Sequence, residues 1–229
     1  MTGESPASVF RRTQAVLLDF DGPVCSVFAG YPATQIAEEL RALMQDALGE
    51  RPQVIAEANG PHELLAAAVQ FGIDLWRRVE EALQVAEIKA VESATATPGV
   101  DAFLSACNAS ERPVAIVSNN CEASVRAYLN HAGLASRIQH IGARDPQHVD
   151  RMKPSPFLLE QAAGVLRISS GQTVLIGDQV SDIEAAIAAG AGSIGYANKP
   201  GKSDDLATAG ANAVVEDMNL LAGAVAEVA

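Results

Sequence analysis

The feature that most constrains the fold is a set of short apolar runs without alternating polar residues. A strand with one face in water alternates apolar and polar side chains, whereas a strand covered on both faces is apolar throughout. The runs therefore predict a parallel sheet with helices on both sides. The clearest runs are AVLLDF (15–20), VAIVSN (114–119), TVLIGD (173–178) and SIGY (193–196). Two weaker candidates are RIQHIG (137–142) and AVV (213–215).

Helical patterns separate these runs. Residues 121–133 have apolar side chains at helical spacing, and residues 156–166 begin with a proline. Residues 181–192 open with Ser181 and Glu184 in the spacing of a capping box. Because strands alternate with helices, the sequence predicts an α/β class fold with a Rossmann-like, doubly wound parallel sheet.

Residues 31–95 interrupt this alternation, since they contain no convincing strand. A segment of roughly 65 residues is too long for a structureless connection. We therefore expect an all-helical domain at residues 29–96, inserted between two parts of an α/β core at 1–28 and 97–229. Its predicted helices lie at about 32–48, 62–71 and 74–94, with a loop near 51–60.

Composition and charge exclude several classes of partner. The chain has 229 residues, of which 48% are hydrophobic and 19% charged, as in an ordinary globular protein. Its net charge of −12 and the lack of a Lys/Arg cluster argue against a nucleic-acid polymer or an anionic membrane as partner. No heptad repeat or large apolar stripe is present, so we expect a monomer or a weak homodimer.

The three cysteines lack metal-ligand spacing, and no signal peptide is recognisable. These two features predict a cytoplasmic protein with reduced thiols.

Polar side chains follow the predicted strands where each strand ends. In an open parallel sheet, ligands bind outside the carboxyl ends of the strands. The four carboxylates in this set would repel one another without a cation, and oxygen-only ligands favour a hard ion, above all Mg²⁺. We therefore expect a Mg²⁺ site beside a group that binds phosphate. The side chains are Asp19, Asp21, Ser118, Asn119, Asp178 and Asp182, together with Lys153 before a predicted helix.

The motifs DFDGPV, VSN, MKPSP and GDQVSD occur in the order and context of the haloacid dehalogenase-like superfamily. The chain resembles its phosphoglycolate phosphatase-like and β-phosphoglucomutase-like members over residues 15–26 and 97–200. The resemblance implies that Asp19 is the nucleophile, which forms an aspartyl-phosphate. It implies that Asp21 is the general acid and base, with a backbone carbonyl that binds the metal. Pro23 replaces the commoner threonine and removes one backbone N–H from the phosphate site.

The same resemblance implies roles for the remaining motif residues. Ser118, Asn119 and Lys153 would bind phosphate, and Lys153 would also bridge the nucleophile to it. The inserted helices would form a cap of the C1 type, which closes over the site. The implied Mg²⁺ ligands are Asp19, Asp21, Asp178 and Asp182.

The presence of Asp21 narrows the choice of reaction. In the superfamily, dehalogenases and phosphonatases lack an acid/base residue at this position. Phosphosugar mutases keep it but have a basic, histidine-bearing motif soon afterwards, whereas residues 27–40 contain no His, Lys or Arg. The sequence therefore predicts a Mg²⁺-dependent phosphatase that acts on a small phosphorylated metabolite. The alternatives are a phosphosugar mutase and a non-catalytic protein that binds a phosphorylated ligand.

Other polar residues give weaker signals. Trp76, Arg77 and Arg78 of the insertion are more typical of a helix with one packed and one solvated face than of a substrate contact. His62, like the other histidines, has no metal-ligand spacing and is interpreted as solvated or satisfied locally. Arg144 follows the weak third run and is interpreted as a surface charge.

Overall fold

The protein is described by a computed structural model covering residues 3–229. Six strands form one parallel sheet, and two short strands form a separate antiparallel pair. The strands are β1 (Ala15–Leu18), β2 (Cys25–Ser26), β3 (Thr95–Ala96), β4 (Val114–Cys121), β5 (His140–Arg144), β6 (Thr173–Gly177), β7 (Gly192–Tyr196) and β8 (Ala213–Val215). The order in the large sheet is β5-β4-β1-β6-β7-β8. The chain thus builds outward on one side of β1 and then on the other, which makes the carboxyl end of β1 the switch point where ligands bind in such sheets.

The helices of residues 3–229 are α1 (Pro6–Arg11), α2 (Ala33–Leu48), α3 (Gln53–Glu57), α4 (Pro61–Ala68), α5 (Ile73–Val91), α6 (Val100–Ala109), α7 (Glu122–His131), α8 (Phe157–Leu166), α9 (Val180–Ala188), α10 (Lys202–Thr208) and α11 (Met218–Glu227). Helices outside the segment α2 to α5 cover both faces of the sheet, for example α6 and α11 on one face and α8 and α9 on the other. Among residues 3–229, none of these helices combines the length and apolar character that a membrane crossing requires.

Successive residues of β1 show why its sequence does not alternate. Val16 and Leu18 join the hydrophobic cluster that includes Phe103 of α6. Leu17, which points to the opposite face, joins a second cluster with Leu159 of α8. Both faces are dry, so every position in the strand is apolar, and the predicted parallel α/β fold is confirmed.

Helices α2 to α5 lie between β2 and β3, and we refer to them as the cap. Their apolar stripes face one another and include Leu40 of α2, Leu64 of α4 and Leu83 of α5. The antiparallel pairing of β2 with β3 sets Cys25 opposite Ala96, so the two connections to the cap run side by side. The division into a core and a cap at residues 29–96 remains a prediction.

Several boundaries differ from the sequence predictions. The strand expected at 137–142 is β5 and begins at His140, because residues 135–137 form a short 3₁₀ helix. The expected loop near 51–60 contains α3, a single short turn that begins after Pro52. Helices α1, α6, α10 and α11 were not among the predicted elements. The three cysteines are buried free thiols, in agreement with the sequence.

Candidate active site

A buried lysine joins two of the predicted site carboxylates at the carboxyl ends of β1, β4 and β6. Asp19 continues the pairing of β1, since its N–H donates to the carbonyl of Ile176 at 2.9 Å. The Nζ of Lys153 lies 2.7 Å from Oδ1 of Asp19 and 2.6 Å from Oδ1 of Asp182. The same Nζ donates to the carbonyl of Val117 at 2.9 Å. Burial alone would lower the pKa of Lys153, but Asp182 and Asp19 together raise it above its usual value, so the lysine is a fixed cation.

Three carboxylates meet beside this lysine and form what we call the acidic cluster: Asp19, Asp178 and Asp182. One oxygen from each lies within 4.8 Å of the others, and all three side chains are buried. Burial is the main cause that raises the pKa of Asp19 well above its usual range; Lys153 opposes the rise, and the other two carboxylates add to it. Oxygen donors that are buried and mutually repulsive fit a hard divalent cation, because the ion removes the repulsion.

Two members of the acidic cluster, Asp182 and Asp178, are held by their local structure. Asp182 lies in the first turn of α9, where its Oδ2 accepts from the N–H of Gln179 at 2.9 Å in a capping box. Asp178 accepts from Nδ2 of Asn198 at 3.0 Å and forms an ion pair with Lys202. Burial raises the pKa of Asp178, and Lys202 opposes the rise.

Asp21 lies outside the acidic cluster. Its Oδ1 accepts from the N–H of Val27 at 2.9 Å, which closes the short segment from Asp21 to Val27 that contains β2. Burial raises the pKa of Asp21 to about 6, although the bond from Val27 opposes the rise. A carboxyl group with this pKa can both give and take a proton near neutral pH.

The β4 end brings Ser118 and Asn119 to the same place. The Oγ of Ser118 donates to Oδ1 of Asn120 and accepts from its N–H, both at 3.1 Å. The side chain of Asn119 bonds both backbone groups of Lys153: the lysine N–H donates to its Oδ1 at 2.8 Å, and its Nδ2 donates to the lysine carbonyl at 3.1 Å. Asn119 therefore also fixes the loop that carries Lys153, a role that the sequence did not suggest.

A cavity of about 690 Å³ opens over these groups. This volume suits a small molecule. Asp19, Asp21, Ser118 and Lys153 line its floor, and the first turn of α4 lines the cap side. The structure thus brings all the sequence-predicted site residues into one pocket between the sheet and the cap.

Arg144 corrects one sequence interpretation. It is not a surface charge but is 3% exposed and lies between two glutamates of α5. Its Nε is 3.0 Å from Oε2 of Glu80, and its Nη1 is 2.8 Å from Oε1 of Glu87. Arg144 also donates to the carbonyl of Asn119 at 2.6 Å. The side chains of Glu80, Arg144 and Glu87 form what we call the buried ion cluster, which connects the cap to the β4 end.

Glu87 makes further contacts with the β4 end and with the cap. Its carboxylate accepts from the N–H of Cys121 at 2.9 Å and from Nδ2 of Asn120 at 3.3 Å. Nε2 of His62 lies 3.1 Å from Glu87 Oε1, and His62 itself lines the cavity. Burial alone would raise the pKa of Glu87, but the charges of Arg144 and His62 lower it to about 2.

Trp76 is buried and its two arginine neighbours, Arg77 and Arg78, are exposed, as the helical pattern indicated.

Gly22 offers a test of how tightly the acidic cluster is built. Its φ is +103°, and a Cβ there would lie 2.6 Å from Cγ of Asp178. For the Mg²⁺-dependent phosphatase activity that the sequence predicts, we expect Gly22→Ala to displace Asp178 and to lower kcat/KM at least about tenfold, with a higher Mg²⁺ concentration needed for half-maximal activity. Phosphate-release assays across a Mg²⁺ titration would measure both effects.

Gly49→Ala is the matched control for this prediction. Gly49 also has a positive φ, +74°. Among residues 3–229, no atom outside its own stretch of chain lies within 4 Å of the position that a Cβ would take. Both variants should lose about 1 kcal/mol or more in the free energy of unfolding from backbone strain. Equal activity in the two variants would contradict the prediction.

Comparisons with known proteins agree with this geometry. Residues 13–190 match the haloacid dehalogenase-like hydrolase family. The chain is 30% identical over 236 residues to a phosphoglycolate phosphatase of Cupriavidus necator, covering 94% of each chain. A predicted phosphatase from Clostridium acetobutylicum superposes with a TM-score of 0.73 at 19% identity, covering 94% of this chain and 99% of that one. A HAD family hydrolase from Deinococcus radiodurans, solved with bound phosphate and sodium, gives 0.63 at 27% identity, with 95% and 97% covered.

The chain belongs to the haloacid dehalogenase-like hydrolase family. The resemblance drawn from the four sequence motifs is confirmed, as is the prediction of a hydrolase of the phosphatase class. The roles assigned to individual site residues and the identity of the metal remain predictions.

Proposed function

We propose that this protein hydrolyses a small phosphomonoester with Mg²⁺ and forms an aspartyl-phosphate on Asp19. The observation that carries the proposal is the acidic cluster with Lys153, at the switch point of the sheet and at the floor of a cavity. The phosphoglycolate phosphatase of Cupriavidus necator, which matches over nearly the whole chain, makes 2-phosphoglycolate the first substrate to test.

The first step transfers the phosphoryl group to the protein. A carboxylate oxygen of Asp19 forms a bond to phosphorus while the bond from phosphorus to the ester oxygen breaks. Asp21 gives a proton to that leaving oxygen, which is released as an alcohol. Lys153 and Ser118 bind the equatorial oxygens, where negative charge is spread in the transition state.

The second step releases phosphate. Asp21, now ionised, takes a proton from a water molecule whose oxygen attacks phosphorus, and the bond from phosphorus to Asp19 breaks. The products are inorganic phosphate and the original carboxylate of Asp19, with Asp21 again protonated. Mg²⁺, held by the acidic cluster, would offset the charges of Asp19 and the phosphoryl group so that the two anions can approach.

Release of phosphate from a panel of phosphorylated metabolites, with and without Mg²⁺, tests this function. We expect activity with at least one small phosphomonoester, a fall to background after EDTA, and recovery on addition of Mg²⁺. Ca²⁺ should restore much less, since it prefers more ligands and looser geometry. EDTA-resistant activity would contradict the metal assignment. Transfer of phosphate between sugar positions without net release would contradict hydrolysis and indicate a mutase.

A further inference from the structure

The cavity has one cationic side chain on its floor and one ionisable base on its cap side. Within the described chain, residues 3–229, the basic side chains that line it are Lys153 and His62. Lys153 is already paired with Asp19 and Asp182, and the proposed function assigns it to the phosphoryl group. His62, in the first turn of α4, is therefore the base available to any other part of a substrate.

His62 is held in place by a buried acid. Its Nε2 lies 3.1 Å from Oε1 of Glu87, a side chain with no exposed surface, and Arg144 and the Cys121 N–H hold that carboxylate in turn. A carboxylate accepts and does not donate, so the proton of this bond lies on Nε2. Nδ1 is consequently the polar ring atom left for a ligand, and about 29% of the His62 side chain remains exposed.

The buried ion cluster beside His62 has a net negative charge, which an imidazolium with a bound anion would complement. The buried ion cluster holds two carboxylates and one guanidinium, which leaves one negative charge for a protonated His62 to balance. An anionic group at Nδ1 would make a charge-assisted hydrogen bond with a donor that is already oriented.

Two exposed carboxylates that line the cavity, Glu63 and Asp150, do not cancel this preference. Glu63 is exposed and is turned back along the chain, where its Oε2 accepts from the N–H of Asn59 at 2.8 Å. The side chain of Asp150 is 82% exposed at the other side of the opening. Solvent screens both charges, whereas the His62–Glu87 pair is partly buried.

We propose that His62 binds a carboxylate of the substrate, so that the protein selects small phosphomonoesters that carry a carboxylate close to the ester. A single imidazolium matches one monoanionic carboxylate, whereas a second phosphate would call for several cations or a bidentate arginine. The proposal rests on the proposed function and names the substrate class of that site.

The test compares two substrates that differ in the group opposite the phosphate: 2-phosphoglycolate, with a carboxylate, and 2-hydroxyethyl phosphate, with an uncharged hydroxymethyl group. His62→Gln keeps an amide near the Nε2 position, and His62→Asn keeps one near Nδ1; both remove the charge. In each variant we expect kcat/KM for 2-phosphoglycolate to fall about 10- to 100-fold, the range of one charge-assisted hydrogen bond. The value for 2-hydroxyethyl phosphate should change less than about threefold, which also shows that the variant is folded.

Glu63→Gln is the matched control on the same turn of α4. It removes a negative charge from the wall, so kcat/KM for 2-phosphoglycolate should stay equal or rise. Equal losses on both substrates in the His62 variants, or no loss on either, would overturn the carboxylate role and leave the proposed function intact. A wild-type protein that prefers 2-hydroxyethyl phosphate over 2-phosphoglycolate would also overturn the carboxylate role of His62 and leave the proposed function intact. Release of phosphate from no phosphomonoester at all would overturn both proposals.

Discussion

Asp19→Asn is expected to reduce phosphate release by a factor of about 10³ or more, because an amide oxygen cannot replace the attacking carboxylate. The substitution keeps the size of the side chain and an oxygen that can face Lys153, which lies 2.7 Å from Oδ1 in the wild type. The loss therefore reports chemistry and not the shape of the pocket. Steady-state phosphate release with saturating Mg²⁺ is the measurement.

The same substitution should not lower stability. In the folded protein burial raises the pKa of Asp19, so its ionisation near neutral pH opposes folding. A carboxyl group whose pKa is higher in the folded than in the unfolded state contributes its full stability only below the unfolded pKa. As pH rises towards the folded pKa, that contribution to the free energy of unfolding is lost. An uncharged amide at this position avoids this cost. We expect the metal-free variant to unfold in urea at a concentration equal to or higher than that of the wild type.

Asp150→Asn provides the control for Asp19→Asn. Asp150 lines the same cavity but is exposed at its opening, so the change should alter kcat less than about twofold. A variant at Asp19 that keeps a tenth or more of the wild-type rate would contradict the nucleophile assignment and favour a binding role for the pocket.

The sequence was informative where one physical requirement determined many adjacent residues. Strands such as β1 are apolar throughout because Leu17 and Leu18 enter cores on opposite faces of the sheet. The polar residues that follow them must then meet at one edge, since parallel strands share a direction. The acidic cluster and Lys153 could therefore be predicted as neighbours from residues as far apart as Asp19 and Asp182.

The sequence was uninformative where a contact depended on the position of the cap. Glu80 and Glu87 are seven residues apart on the buried face of α5, which also carries Leu83. Two charged residues on an otherwise apolar helix face were the only sign in the sequence of a buried ion pair. Their partner Arg144 stands at the end of β5, more than fifty residues away, and no local pattern connects the three. The side-chain role of Asn119 was missed for the same reason, because it depends on where the Lys153 loop folds back.

Arg144→Met is the second substitution with a large expected effect. It leaves Glu80 and Glu87 in a dry environment without their cation, and we expect the free energy of unfolding to fall by about 3–5 kcal/mol. Methionine is apolar and fills the space of the aliphatic stem of arginine, so most of the loss would come from the two glutamates left without the guanidinium group. Urea denaturation at neutral pH, followed by circular dichroism, measures the change.

Arg126→Met makes the same replacement in a solvated ion pair. Arg126 lies 2.5 Å from Glu122 on the exposed side of α7, and such pairs contribute less than about 1 kcal/mol. Salt separates the two cases further: about 0.5 M NaCl should remove most of the Arg126 effect and little of the Arg144 effect, because ions screen only exposed charges. Equal losses in the two variants would mean that Arg144 does not hold the cap to the β4 end. A large, salt-insensitive loss at Arg144 would show that the contact between cap and core depends on a buried charge as well as on apolar packing.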